Sequence, residues 1–391
     1  MIDSVLLQLI EGQYSISPVN KLDSSRAKEG RYYAVSSSFC KEYAKKLKKE
    51  GRYFPMIETT NRRSGSDIIG EVLEIQVSIP KTIYGHSLIG VSRADLNIFC
   101  DKLVSLLVEI GIITTSKDIK QAVLKRIDFC TIIKLPDYLG TADRVICTIR
   151  DFNYKQQSDF NFNQNKIFDK KKLFNGNDGL YIKFWNSTQG YAIYDKFWEI
   201  YCQGYTTEEK KIKNLMEEGK FKRNALKFEF ALQHKQSLDA FLRRRIDGKD
   251  EDFTLEDVLD EELVKGVMND VFDAVFDDIA VGLISLNEME QNKLYAYLDA
   301  SGLTLKKQFA LFFWVNMATR NGVAGFYEQL KRKCKGGSVG TNKKEISVIL
   351  QELGKISGNV PNLVDFLRAE HRRFEIIKSK QRVEVVNGCI V

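Results

Sequence analysis

Proline, histidine and paired cysteine are all scarce in this chain. Only 5 of its 391 residues are proline, so few forced breaks interrupt its strands and helices. His86, His234 and His371 lie far apart, which excludes a His-rich metal centre built from near neighbours. The seven cysteines (40, 100, 130, 147, 202, 334 and 389) are scattered, odd in number and never spaced as CxxC. Neither a zinc ribbon nor a disulfide framework is supported. Any metal therefore has to lean on carboxylate oxygen, which favours Mg²⁺ or Mn²⁺ over zinc. No apolar run is long enough to cross a bilayer: the most apolar segment, FALFFWVNMA at 309–318, is about half the length needed. The opening MIDSVLLQLIEGQ carries an acid and no basic n-region, so it does not read as a signal peptide, and a cytoplasmic protein without membrane partners is expected. A GxxxxGK phosphate loop is also missing, which removes the usual signature of a nucleotide-driven motor.

What is present is the composition of an ordinary globular protein, 43% hydrophobic and 28% charged. The net charge of +7 hides an asymmetry, because residues 250–280 are dominated by Asp and Glu. The rest of the chain is far more basic than the net value suggests. It offers a surface for a polyanion, or simply a Lys-rich coat for solvation, and charge alone leaves both readings open.

Up to about Ile246 the chain consists mainly of strand-like runs: DSVLLQLI, GEVLEIQVSI, KRIDFCTIIKL, DRVICTI, GLYIKFWN, YAIYDKFW and NALKFEFALQ. They are short, rich in β-branched and aromatic residues, and bounded by turn formers. Helical spacing appears at 37–51 and at 93–110, where Leu96, Phe99, Leu103, Leu106 and Leu107 recur every three or four residues. Residues 153–178 are rich in Asn, Gln, Asp and Lys with interleaved Phe, and read as a polar loop that either tracks a nucleic-acid strand or is anchored by its rings. After GKDED at 248–252 the pattern becomes helical, with apolar residues from Leu255 to Ile279 at three-and-four spacing. The expectation is an α+β fold: a mainly antiparallel, nuclease-type sheet domain with packed helices over 1–248, then a mostly helical region over 249–391 that binds DNA or a partner.

Four segments place ionisable groups inside apolar strands, which is costly unless the group is paired or metal-bound. They are LEIQVSIPK with Glu74, KRIDFCT with Asp128, YDKFWE with Tyr194, Lys196 and Glu199, and LKFEFALQ with Glu229. In an extended strand Glu229 shares a face with Lys227, Asp128 with Arg126, and Tyr194 with Lys196. Three carboxylates from separate strands suit a divalent cation, although each alone also suits an ordinary ion pair. Tyr194 is either one more core ring or a phenolic nucleophile, for which a neighbouring cation favours phenolate. The run Arg243, Arg244, Arg245 either contacts phosphate or caps a helix dipole.

The set LEIQVSIPKTIYGHSLIG, KRIDFCTI, AIYDKFWE and LKFEFALQHKQSLDAF, in this order, resembles the replication initiators of filamentous phages, the gene II endonuclease family. The opening MID and the late VPNLVDFLRAEHRRFE are similar to that family too, and the YDKFWE and RID elements also resemble rolling-circle initiators of small plasmids. The resemblance implies a metal-dependent, site-specific nickase. It would cut the double-strand origin through a 5′-phosphotyrosyl intermediate and later join the displaced strand. Carried over, Tyr194 becomes the nucleophile, Lys196 its electrostatic neighbour and Glu199 a structural, metal or base partner. Glu74, Asp128, Glu229 and His86 become ligands for Mg²⁺ or Mn²⁺; Arg126, Lys183 and Arg243 to Arg245 are taken as phosphate contacts. The implied partners are supercoiled origin DNA, the displaced single strand, and a host helicase and polymerase in a bacterial cytoplasm. The chain lacks the His-hydrophobe-His element of the wider nuclease superfamily. A non-catalytic origin-binding repressor of the same fold is the alternative; a tyrosine recombinase would place its Tyr in a helical domain.

Overall fold

The computed structural model describes residues 1–22, 41–64, 67–136, 141–143, 145–146, 181–185, 188–219, 224–276, most of 295–313 and 363–373. The Phe-interleaved segment 153–178 and much of the helical region expected over 249–391 lie outside the described residues. In chain order the strands are β1 (Ile2–Ile10), β2 (Ser15–Ile16), β3 (Met56–Ser64), β4 (Asp67–Ser78), β5 (Ile112–Ile113), β6 (Val123–Lys134), β7 (Tyr181–Trp185), β8 (Gln189–Asp195) and β9 (Ala225–Leu232). The helices are α1 (Lys41–Lys49), α2 (Ile79–Tyr84), α3 (Leu96–Glu109), α4 (Ser116–Gln121), α5 (Lys196–Gln203), α6 (Thr207–Glu217), α7 (Lys235–Arg243), α8 (Leu255–Val258), α9 (Glu261–Phe276) and α10 (Leu363–Arg373).

Seven strands form one sheet in the order β3-β4-β1-β6-β9-β8-β7, with every pairing antiparallel. The two-residue period of each strand sorts its side chains onto two faces. One face carries Val5, Leu7 and Leu9 of β1, Leu73, Ile75 and Val77 of β4, Phe129 of β6, Tyr191 and Ile193 of β8, and Leu226, Phe228 and Phe230 of β9, all buried in one cluster. Helices α3, α7, α9 and α10 contribute apolar residues to the same cluster. Ring contacts tie the layers together: Phe230 lies 5.4 Å from Phe241 of α7 and Phe228 lies 6.1 Å from Phe272 of α9, centroid to centroid. His371 of α10 is buried 4.7 Å from the Phe228 ring, and burial pushes its imidazole down to about 3, so it packs as a neutral ring. The compositional change near Gly248 is therefore no break in packing, because α9 and α10 complete the core of the sheet.

The mixed helix-and-strand architecture and the strand readings hold, with three differences. Where the run DRVICTI is described it is helical and not extended: residues 142–143 and 145–146 are helical, and Ala142, Val145 and Ile146 are buried in the core cluster. Strand β3 escapes a sequence reading because MIETTNRRS is mostly polar, as suits its place at the sheet edge. The third difference lies in YDKFWE, where extension stops at Asp195 and helix α5 starts at Lys196. The Asp195 carboxylate accepts the N–H groups of Phe197 and Trp198, each at 2.9 Å, and so satisfies two orphan donors of the new helix. Lys196 thereby leaves the plane of the strand that holds Tyr194.

Gly204 then lets α6 return beneath α5, since a Cβ there would meet the Ile200 carbonyl oxygen at 2.4 Å. Among the described residues no helix is long and apolar enough to cross a membrane. Replacing Asp195 by Ala is expected to cost about 1–2 kcal/mol of stability, while Asp195→Asn costs only a few tenths; urea unfolding followed by circular dichroism checks both.

Candidate active site

The face of the sheet opposite the core is where the chain places its buried charge. A bulge between Ile2 and Ser4 inserts one extra residue of β1 against β6, so Asp3 and Ser4 both serve this face instead of alternating. The Asp3 carboxylate accepts from the Lys227 ammonium at 2.6 Å, and the Ser4 hydroxyl donates to Asp128. Lys227 is 0% exposed. Its ammonium also pairs with Glu229 Oε2 at 3.2 Å, and that same oxygen accepts the Tyr194 hydroxyl at 2.9 Å. The register explains the convergence, since Tyr194 of β8 lies opposite Lys227 of β9, and Glu229 lies opposite Ala192 on one side and Cys130 on the other. Small Ala192 leaves room for the Tyr194 ring, which packs with Trp198 and Cys202 of α5.

Asp128 is gripped in a fork by Arg126, Nε to Oδ1 at 3.1 Å and Nη2 to Oδ2 at 3.0 Å. Around this centre lies a second ring of buried pairs. Lys196 pairs with Glu199, and Lys81 of α2 pairs with Glu209 of α6 at 2.8 Å. Glu209 is held from below by the Tyr205 and Thr206 N–H groups in a capping box.

These neighbours set the protonation states. Burial, then the negative charges of Glu199 and Glu229, push the Tyr194 phenol well above 10, so at rest it is a neutral donor. Burial works against the charged form of Lys227, but Asp3, Tyr194 and Glu229 together outweigh it and hold the ammonium well above its ordinary value. Burial tends to raise Asp3, and Lys227 followed by Lys196 overrides it and keeps the carboxyl low. For Asp128 burial wins, aided by Glu229 and opposed by Arg126 and Ser4, and its carboxyl rises to about 6. Glu199 stays below its ordinary range because Lys196, Lys227 and Lys81 overcome its burial.

The structure joins Tyr194 to Glu229, with Lys196 and Glu199 arriving from the helix above, and sets the Asp128–Arg126 pair farther along β6, where Asp128 still feels the charge of Glu229. Lys196 lies 6.0 Å from the Tyr194 ring centroid and is engaged with Glu199; Lys227 is at 5.7 Å. Glu74 is not part of this group. It sits four residues farther along the sheet, in register with Gln8 where Asp128 is in register with Ser4, and accepts from the Gln8 amide at 3.0 Å. His86 lies beyond the C-terminus of α2, buried, its Nδ1 accepting the Leu88 N–H at 3.3 Å. Burial lowers it to about 4 against the opposing charges of Glu209 and Glu208. Lys183 stands in register with Ala192, the partner of Glu229 on the other side.

Arg243, Arg244 and Arg245 end α7, whose Phe241 packs on the core face. Arg243 donates to the Asp250 carbonyl, and Arg245 pairs with Asp270 at 2.8 Å while lying over the Phe241 ring. The run is thus on the opposite layer from Tyr194. The residues expected to hold Mg²⁺ or Mn²⁺ do not fit a finished cage. Among the described residues no group of three or more His, Cys, Asp or Glu is placed to hold an ion. Asp128 is paired with Arg126 and Glu229 with Lys227.

Asp3, Ser4 and Lys227 are the members that motif reading passed over. Lys227 had a signal in its two-residue spacing from Glu229; Asp3 had only an acid ahead of an apolar run, because a bulge cannot be read from composition. No family model matches this chain, and no curated protein or solved structure matches it.

His86 gives a check on its own environment. A folded-state value of about 4 against 6.5 means its contribution is present above pH 6.5 and is lost as pH falls toward 4, a swing of roughly 3 kcal/mol. Urea midpoints measured between pH 4 and 7 are expected to fall steeply with acid in the parent chain and more shallowly in His86→Gln.

Proposed function

We propose that this protein is a rolling-circle replication initiator that nicks the double-strand origin through Tyr194 and later joins the displaced strand. The observation that carries the reading is the Tyr194 hydroxyl donating to Glu229 Oε2 at 2.9 Å, with the Lys227 ammonium on the same oxygen. A neutral phenol is a poor nucleophile, so attack on a phosphodiester needs a proton acceptor within hydrogen-bond reach. Glu229 meets that requirement.

In the proposed step Glu229 takes the phenolic proton as the Tyr194 oxygen bonds to phosphorus. The bond from phosphorus to the 3′ oxygen breaks, and that oxygen leaves as a 3′-OH with the proton Glu229 received. A 5′-phosphotyrosyl bond remains. It conserves the phosphodiester energy, so joining by the reverse path needs no nucleotide, in keeping with the missing GxxxxGK element. Lys183, in register with Ala192 of β8, and Arg126 of β6 are the proposed phosphate contacts. The strand-joining role implies supercoiled origin DNA and a displaced single strand as substrates, with a helicase and a polymerase supplied by a bacterial host. Mg²⁺ or Mn²⁺ belongs to this proposal as the ion the resemblance implies, and the cytoplasm as the place of action.

One observation favours the second reading, a non-catalytic origin-binding protein of the same fold. Tyr194 is only 8% exposed, as a packing residue would be. The two readings separate on supercoiled origin DNA with Mg²⁺. Wild type is expected to relax it and to leave a covalent adduct on Tyr194, and Tyr194→Phe to lose on the order of 10³-fold or more of that activity. Equal nicking by both, or an adduct mapped to Tyr191 or Tyr201, defeats the nucleophile assignment; origin binding with no nicking by wild type establishes the second reading.

A further inference from the structure

Sequence spacing pairs Tyr194 with Lys196, but the fold gives Tyr194 a different cation. We infer that Lys227, anchored by Asp3, is the positioning residue that holds Glu229 and the Tyr194 hydroxyl in reacting register. This inference rests on the reading of Tyr194 as the nucleophile.

Three observations carry it. Lys227 is fully buried on the middle strand of the site, opposite Tyr194 on β8 and opposite Ile132 on β6. Placing an ammonium there is costly, and a well-packed apolar side chain of similar volume serves stability as well or better. The charge is retained for something other than packing. Second, its two acid contacts differ in purpose. Asp3 lies at 2.6 Å and is delivered by a bulge that interrupts the alternation of β1. Because Asp3 shares the ammonium, Glu229 Oε2 meets Lys227 at 3.2 Å and still accepts the Tyr194 hydroxyl at 2.9 Å. Without Asp3, Lys227 and Glu229 would close into a neutral pair and draw the acceptor away from the phenol. Third, the contact of Lys227 falls on Oε2, the oxygen that faces Tyr194. The ammonium therefore fixes the carboxylate rotamer and stands beside negative charge whether Glu229 or the Tyr194 oxygen carries it. Lys196 cannot do this, since it belongs to α5 and is paired with Glu199.

Because Lys227 is buried, its loss is expected to slow chemistry without weakening DNA binding. Single-turnover nicking of supercoiled origin DNA, counted per folded molecule, gives the rate of adduct formation; binding of the same DNA gives the affinity. Lys227→Met is expected to lower the adduct rate at least about 100-fold with affinity within about twofold, and Lys227→Arg to recover much of the rate. Asp3→Asn keeps the side-chain volume and supplies a second measurement if Lys227→Met folds poorly; its rate is expected to fall about tenfold. Rates within about twofold of wild type in Lys227→Met and Asp3→Asn overturn the inference, as does a loss confined to affinity. If Tyr194→Phe stays inert in the same assay, the nucleophile reading survives that result. If Tyr194→Phe is active, the nucleophile reading and the inference fall together.

Discussion

Lys227 carries a full positive charge to a position without solvent, and the polar face of the sheet is organised around neutralising it. An isolated ammonium in such a place is unstable by far more than a fold can tolerate. Asp3 and Glu229 therefore have to be where they are, and the chain departs from regular geometry to put them there. Strand β1 is bulged at Ile2 and Ser4, so that Asp3 reaches Lys227 while Ser4 reaches Asp128. Once Glu229 is committed to Lys227, the Tyr194 hydroxyl has a fixed acceptor. The chemistry proposed for this site is thus a consequence of a charge constraint.

The same strand transmits rigidity from the core. Along β9 the residues alternate between Phe228 and Phe230 on one side and Lys227 and Glu229 on the other. The two rings are locked against Phe272, Phe241 and His371 from three helices. Side chains that have to hold atoms to a fraction of an ångström do so best from elements whose own positions are fixed by packing. Helices α9 and α10, which a compositional boundary assigns to a separate region, thereby support the strand that carries the acceptor.

Much of this was legible in the sequence, and what was missed has identifiable causes. The strands β1, β4, β6, β7 and β9 were readable because alternation and turn residues agree within each short run. Asp128, Tyr194 and Glu229 stood out because each is an ionisable group inside an apolar run. Glu74 stands out for the same reason and belongs elsewhere, half-buried and hydrogen-bonded to Gln8. Composition cannot tell which of two acids in apolar strands is paired with a neighbour and which serves a shared centre. The cross-strand register decides it, and register depends on pairings between segments far apart in the chain, such as Ser4 with Asp128. Lys196 reaches the Tyr194 ring from a helix rather than along an extended strand, because an aspartate cap two residues into YDKFWE converts the strand into a helix.

That conversion has its own physical sense. A nucleophile on a strand needs neighbours both beneath and above it, and a strand alone supplies only its own plane. By turning into α5 immediately after Tyr194, the chain places Glu199 and Trp198 over the ring while β9 supplies Glu229 and Lys227 below. The ion pair from Lys196 to Glu199 holds the upper layer, and Lys81 with Glu209 joins α2 to α6 behind it. The carboxylate of Glu199 raises the phenol further and that of Glu229 does the same, so the surroundings favour the protonated phenol. A DNA phosphate is negative and cannot supply positive charge. In the proposed reaction the built-in cations of the site, with Lys227 nearest the acceptor oxygen, are the groups that would offset the charge as phenol becomes phenolate.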